Sequence, residues 1–317
     1  MEYNHNPVML NECIEGLNIK PDGIYFDGTL GGGGHSEQIA KRLGEGGQLI
    51  AVDKDAEAII FAGNRLKAYK SNITFVNDDF KNSEEFLNGL GIAKLDGVLL
   101  DLGVSSYQLD NKERGFSYIQ DASLDMRMNQ SQYLTAFNVV NEYSVAELTR
   151  VISQYGEDRF ARKIAERIAN VREQESIRTT AQLSKIVELC YPPATRWKFG
   201  HPAKRAFQAI RIEVNGELED LEKSLYTLAR RLKVGGRMAV ISFHSLEDRI
   251  VKNVFKDLQQ DCICDKSLPM CVCNKVSEVK ILTNKPVTAS EEELKINSRA
   301  ESAKLRIIEK IEEEKKR

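Results

Sequence analysis

Nowhere in the 317 residues does an apolar stretch run uninterrupted for the length, about 18 residues, that a membrane-spanning helix needs. Met1 to Leu10 carry neither a basic region nor an apolar segment of signal-peptide length, so a soluble, cytoplasmic protein is expected. Charge of one sign is missing too: 45 basic against 47 acidic residues leave a net charge of −2. Such a balance gives no global pull toward nucleic acid, and any RNA or DNA contact must come from a local patch. Cysteine is sparse, with Cys13, Cys190 and a cluster at Cys262, Cys264, Cys271 and Cys273. In a reducing cytosol the pattern C-x-C-x6-C-x-C reads as a thiolate metal site or a redox-sensitive loop rather than a disulfide pair. C-x-C is tighter than the usual zinc spacing, so no metal is assigned and a reduced, metal-free loop is preferred.

What is present is a βαβ rhythm. Strand-like runs at 24–27, 49–53, 73–76 and 97–101 alternate with helical stretches from 36, around 56–68 and from 83, the pattern of a parallel sheet covered on both faces. The next convincing strand, Arg237 to Phe243, follows a helix at 218–232 and a turn at Lys233-Val234-Gly235-Gly236. Over a hundred residues are left between, too many for one crossover, so an insertion is placed at 104–214. Its content is helical. Ser144-Val145-Ala146-Glu147 is a capping box, Phe160, Ile164, Ile168 and Val171 repeat at helical spacing, and Thr180 caps a third helix that stops before Pro192-Pro193. Emerging after the fourth strand, this module is expected to act as a substrate-recognition lid. Ser245 opens a further capped helix to Leu258, and strands at 279–282 and 305–308 are read as the antiparallel pair completing seven strands. The expected domains are 1–103 with 215–308, the insertion 104–214, and a charged, frayed tail at 309–317.

The loop Asp27-Gly28-Thr29-Leu30-Gly31-Gly32-Gly33-Gly34-His35-Ser36 lacks one thing that a dinucleotide site requires: Ser36 stands where G-x-G-x-x-G has its third glycine. Four consecutive glycines still bring bare backbone near a ligand. The spacing resembles the glycine loop of S-adenosylmethionine enzymes, with Asp27 facing the methionine ammonium, although Thr29 replaces a usual glycine. A glycine-rich turn without ligand is the bland alternative. Asp53 follows the loop by roughly 20 residues, the distance at which a carboxylate reaches a ribose hydroxyl, a feature shared by NAD and S-adenosylmethionine sites. Asn77-Asp78-Asp79-Phe80 offers an adenine contact, or else a polar strand end.

Asp101-Leu102-Gly103-Val104-Ser105-Ser106 leaves the fourth strand, where amino-methyltransferases hold their target nitrogen. It lacks the double proline and aromatic many of them carry there; Tyr191-Pro192-Pro193 is read as a helix stop. Asp101 is the candidate acceptor for the amine, with Ser105 and Ser106 secondary, since methyl transfer is dominated by positioning. No cysteine follows that strand, which disfavours a covalent route. Residues 196–211 hold five Lys or Arg, three aromatics and no acid, suiting single-stranded RNA. His201, Lys204 and Arg205 there, and Arg127 upstream, are the candidate substrate contacts. The alternative is a helix from Pro202 with Phe207 and Ile210 in the core and a solvated basic face.

Taken with His5-x-Pro7-Val8-Met9-Leu10, Arg114-Gly115-Phe116-Ser117, Leu124-Asp125-Met126-Arg127-Met128, Phe199 to Arg205 and Ser242 to Asp248, these motifs resemble the bacterial ribosomal RNA small-subunit methyltransferase H family across nearly the whole chain. The resemblance implies a class I S-adenosylmethionine-dependent methyltransferase: Rossmann-like α/β, with a mostly parallel seven-stranded sheet and an inserted helical domain. It implies methylation of the N4 amine of a decoding-region cytosine in 16S ribosomal RNA. The donor would contact Gly33, Gly34, His35, Asp53, Phe80, Asp101 and Gln108. Expected partners are 16S ribosomal RNA or the small ribosomal subunit, with no membrane and a homodimer left open. The competing functions are a nucleotide-dependent oxidoreductase, a non-catalytic ribosome-binding factor, and a methyltransferase of another nucleic-acid amine.

Overall fold

Val98, Leu99 and Leu100 are all fully buried, and successive side chains go to different cores. Leu99 packs with Ile39, Leu49 and Ala62 on one sheet face, while Val98 and Leu100 pack with Leu225, Met238 and Phe255 on the other. That alternation follows from the period of two, and covering both faces is what makes the strand a continuous apolar run. Burial of each such side chain contributes about 1.5–3 kcal/mol.

The computed structural model describes residues 7–198, 200–265 and 270–312. The chain divides into two compact units, Met1–Gly103 with Leu218–Arg317, and Val104–Glu217. In the first, β1 (Ile24–Asp27), β2 (Gln48–Val52), β3 (Ile73–Val76), β4 (Leu95–Asp101), β5 (Leu232–Ser242), β6 (Val279–Ile281) and β7 (Lys304–Lys310) form one sheet in the order β3-β2-β1-β4-β5-β7-β6. The first five run parallel, and β7 is antiparallel to β5 and β6. The order reverses between β1 and β4, which opens a crevice at their carboxyl ends. The second unit packs the helices Ala136–Glu142, Val145–Gly156, Ala161–Arg172, Thr180–Glu188 and Lys204–Asn215 around Val139, Leu148, Ile164, Phe207 and Ile210.

Several elements differ from expectation. The turn at Lys233 to Gly236 is strand: β5 starts at Leu232 and passes through a register shift opposite Leu95–Gly97. The charged residues Glu309 and Lys310 do not fray; they end β7, with Glu309 paired to Arg237 at 2.8 Å and Lys310, 1% exposed, to Glu278 at 2.8 Å. Residues 313–317 of the expected tail lie outside the described residues. Thr179, not Thr180, caps its helix, in a reciprocal box with Gln182. The late helix Ser245–Gln259 is capped by His244 with Glu247, so the serine is its first residue. The short helix Leu10–Leu17, which buries Cys13, Ile14 and Leu17, was not anticipated.

Candidate functional site

Because β1 to β4 run parallel, the residues that end or follow them share one sheet edge: Asp27 at the end of β1, Asp53 after β2, Asn77 to Phe80 after β3 and Asp101 at the end of β4. The glycine loop is tied to that edge by backbone bonds from Gly28 to Leu99 and from Leu30 to Val52. Gly33 has φ +75 and caps the helix Gly34–Ala40, a left-handed turn that glycine adopts without penalty. At Gly34 any Cβ would lie 2.2 Å from Pro7 Cγ, so the amino-terminal segment closes directly over the loop.

Asp27 does not present a free carboxylate. It is 1% exposed; Oδ2 accepts the Ser36 hydroxyl at 2.6 Å and Oδ1 accepts Thr29 N–H at 3.1 Å. Its work is to hold the loop, and burial pushes its carboxyl up despite those bonds. Asp53 also braces the loop, with Oδ2 accepting Gly31 N–H at 2.8 Å and Oδ1 accepting Asp55 N–H at 2.9 Å. Burial raises its pKa to about 6. Asn77 donates to the Asp53 carbonyl at 2.9 Å, and the Asp79 carboxylate lies 3.7 Å from Lys54 Nζ. Phe80 packs beside Gly28, where a Cβ would come within 3.0 Å of it. Asp53, Phe80 and the glycine loop are thus brought together, as expected of a nucleoside pocket.

Asp101 N–H donates to the Thr29 hydroxyl at 2.6 Å. The threonine that departs from the glycine pattern therefore joins the loop to the catalytic candidate. Asp101 Oδ1 is buried with no hydrogen-bond partner. Burial, then the charges of Asp27 and Glu247, push the carboxyl far above its ordinary value. Its Oδ2 lies 3.8 Å from His35 Nδ1. His35 is buried, its pKa pushed down to about 4, so the ring is neutral at pH 7. Nε2 sits 3.1 Å from the Val8 carbonyl, an acceptor only, which makes Nε2 the donor and leaves Nδ1 a bare acceptor facing Asp101. Two acceptors this close can share a donor that approaches both from one side. Sequence reading missed Glu247, which closes the capping box of the helix after β5, accepting Phe243 N–H at 2.8 Å, and whose charge also acts on Asp101.

This edge repels anions. Among the described residues, Asp27, Asp53 and Asp101 form no ion pair with lysine or arginine, so a pyrophosphate is disfavoured and a small cationic ligand is favoured.

In the helical unit several candidates hold local structure. Ser105 caps the helix Ser106–Asp110 and Gln108 returns the bond, its Oε1 accepting Ser105 N–H at 3.0 Å; Gln108 is 3% exposed. Arg127 is consumed by its own loop, binding the Asp125 carboxylate at 2.7 Å and the carbonyls of Gln130 and Gln132 at 2.7 and 2.8 Å. That loop is clasped by Asn215, which accepts from Met128 N–H and donates to the Met126 carbonyl, each at 2.7 Å. Phe207 and Ile210 are core, as the alternative reading held. Lys204 and Arg205 are both exposed on the first turn, and Arg205 donates to the Glu157 carbonyl at 3.0 Å. His201 is sandwiched by rings, 4.5 Å from Tyr118 and 5.0 Å from a half-exposed Trp197, and burial lowers its pKa. Phe199 lies outside the described residues.

A family model described as the MraW methylase family matches residues 2–311. Proteins named ribosomal RNA small subunit methyltransferase H from Clostridioides difficile and Clostridium botulinum are each 52% identical over 311 residues, covering 98% of this chain and all of theirs. One from Lachnospira eligens is 52% identical over 98% of this chain and 99% of its own.

Proposed function

This chain belongs to the MraW methylase family, and from that premise we propose that it transfers a methyl group from S-adenosylmethionine to the N4 amine of a cytosine in the decoding region of 16S ribosomal RNA. The observation that carries the chemistry is the Asp101 carboxylate, buried at the sheet edge with Oδ1 unpartnered and no cation paired to it. An unneutralised acid there suits a donor bearing two positive centres and an amine that must give up a proton.

When bound, S-adenosylmethionine supplies a methyl electrophile on a positively charged sulfur. Gly33, Gly34 and His35 line its loop, Asp53 accepts the ribose hydroxyls, and Phe80 covers the base. Asp101 accepts a hydrogen bond from the cytosine amine, aiming the nitrogen lone pair, and takes the proton shed on methylation. The neutral His35 ring keeps the carboxylate company without neutralising it. Ser105 and Gln108 set the path of the chain after Asp101 through their mutual cap. The helical unit supplies the RNA surface, with Lys204 for phosphate and Trp197 as a stacking face.

Mass spectrometry of 16S ribosomal RNA from cells with and without the protein tests the whole reading. One N-methylcytosine should disappear with the gene, and an unchanged modification pattern would overturn it. No helix among the described residues is long and apolar enough to cross a membrane, in keeping with a substrate in the cytoplasm.

A further inference from the structure

Between the helix Ser245–Gln259 and β6, the described residues 260–265 and 270–278 are ordered around something other than an apolar core. Ile263, Met270 and Val272 are 61, 71 and 66% exposed, so apolar burial does not hold them. At their base Glu278 N–H donates to the Leu258 carbonyl at 2.9 Å. Above that, the sulfurs of Cys262, Cys264, Cys271 and Cys273 converge, all within 4.8 Å of one another. Four of their separations are 3.5 Å (262–271), 3.9 Å (264–271), 3.5 Å (271–273) and 3.9 Å (262–273).

Those lengths identify a geometry. A tetrahedral ion with Zn–S bonds of about 2.3 Å has sulfur–sulfur edges of about 3.8 Å. None of the cysteines is in a disulfide, where the sulfurs would sit about 2.05 Å apart. A cluster of several irons would hold its four cysteines farther apart than this. The tight C-x-C spacing, an argument against zinc on sequence alone, has a reason here. Each C-x-C arm directs its two sulfurs to one point while the residue between them, Ile263 or Val272, is exposed. Backbone amides also point at the sulfurs: Cys264 N–H to Cys262 at 3.4 Å, Ile263 N–H to Cys273 at 3.4 Å and Val272 N–H to Cys264 at 3.3 Å. Such N–H···S bonds stabilise thiolates, the form that ligates.

We infer that Cys262, Cys264, Cys271 and Cys273 bind one Zn²⁺ in a closed, structural tetrathiolate site that fixes this loop. Four protein sulfurs leave no open position, so the ion does not take part in methyl transfer. Soft thiolate ligands select zinc over the hard cations.

The full chain, purified reduced and without chelator, should carry one zinc by plasma mass spectrometry, and Cys271→Ser with Cys273→Ser should abolish it. Cobalt added to the metal-stripped protein should saturate at one equivalent, with the sulfur-to-cobalt charge-transfer bands of a tetrahedral thiolate site. Zinc should slow maleimide labelling of these four thiols by about tenfold or more, because coordination removes the free thiolate. Donor affinity by calorimetry should not move in the double variant. Absence of bound zinc after equilibration with the free metal, labelling rates indifferent to zinc, or metal retained by the double variant would each overturn the site. Because wild-type stoichiometry, the cobalt spectrum and labelling need no variant, misfolding of the substituted chain does not protect the idea.

Discussion

At the sheet edge, Asp27, Asp53 and Asp101 end or follow parallel strands with, among the described residues, no lysine or arginine paired to them, and burial raises the pKa of all three. The basic segment of the helical unit is built the other way. Arg196 is paired to Glu188 at 3.1 Å and Arg211 to Glu217 at 2.7 Å, and Arg205 is tied to a backbone carbonyl. Charge in the first region is stored against a ligand that will neutralise it; charge in the second is largely spent on the fold. Counting charges along the chain does not separate the two, whereas asking which are already satisfied does.

Removing the stored charge gives the largest expected effect. Asp101→Asn keeps the shape and loses the proton acceptor, so single-turnover methylation at saturating donor should fall by about 10²–10⁴. The same change relieves a carboxylate crowded by Asp27 and Glu247, so the donor-free protein should melt higher, by about 2–4 °C. A lower melting point with near-normal turnover would remove Asp101 from the chemistry and reverse the comparison.

Asp53 comes next. Asp53→Ala loses the ribose acceptor and the brace on Gly31, which should cost about 2 kcal/mol of donor affinity, roughly thirtyfold in Kd by calorimetry. Unchanged affinity would put the nucleoside elsewhere.

Smaller again is the effect of pH. With its pKa raised to about 6, Asp53 is charged above that value and protonated below it. A protonated carboxyl accepts hydroxyl bonds poorly, so donor Kd should rise about fivefold from pH 6 to pH 5 through this group. The stability of the donor-free protein runs in the opposite sense. A raised carboxyl pKa contributes stability that is present below the unfolded value near 4 and is lost as pH rises through about 6. Asp53→Asn should flatten both trends, and a wild-type slope in Asp53→Asn would assign the titration to another group.

How much of this was legible depends on the physics behind each feature. The parallel strands announce themselves by apolar runs, and once they are parallel their carboxyl ends must share an edge, so Asp53 and Asp101 were placed correctly from spacing alone. Ser105-x-x-Gln108 is a capping box that could be read directly, beside the roles expected of Ser105 from its place after the fourth strand and of Gln108 from the family resemblance. The convergence of Glu247 on Asp101, and of four cysteines on one point, depends on how distant segments fold together, which spacing does not encode. Arg127 shows a related limit: in sequence a surface-looking arginine is indistinguishable from one whose donors bind Asp125 two residues away.

The smallest effect belongs to the spent charges. Of the candidates in 196–211, Lys204 is exposed at the start of its helix, while Arg205 already donates to the Glu157 carbonyl. Replacing both by Ala should therefore remove about one phosphate contact rather than two. Each contact to single-stranded RNA contributes about 0.7 to the slope of log affinity against log salt, so the double variant should flatten that slope by about 0.7, not 1.4, and weaken RNA binding only several-fold. Lys204→Ala alone should give nearly the whole change, and Arg205→Ala little beyond a slight loss of stability from the freed Glu157 carbonyl. Donor Kd should stay fixed in all three, since Asp53 and the glycine loop belong to the other unit. Affinity measured by filter binding across a salt series decides it. A drop of about 1.4 would mean that Arg205 leaves its carbonyl for phosphate, so that its charge belongs with the stored ones. No change at all would leave the helix as core on one face and solvated on the other, and would move the RNA surface to the rings of Tyr118, Trp197 and His201.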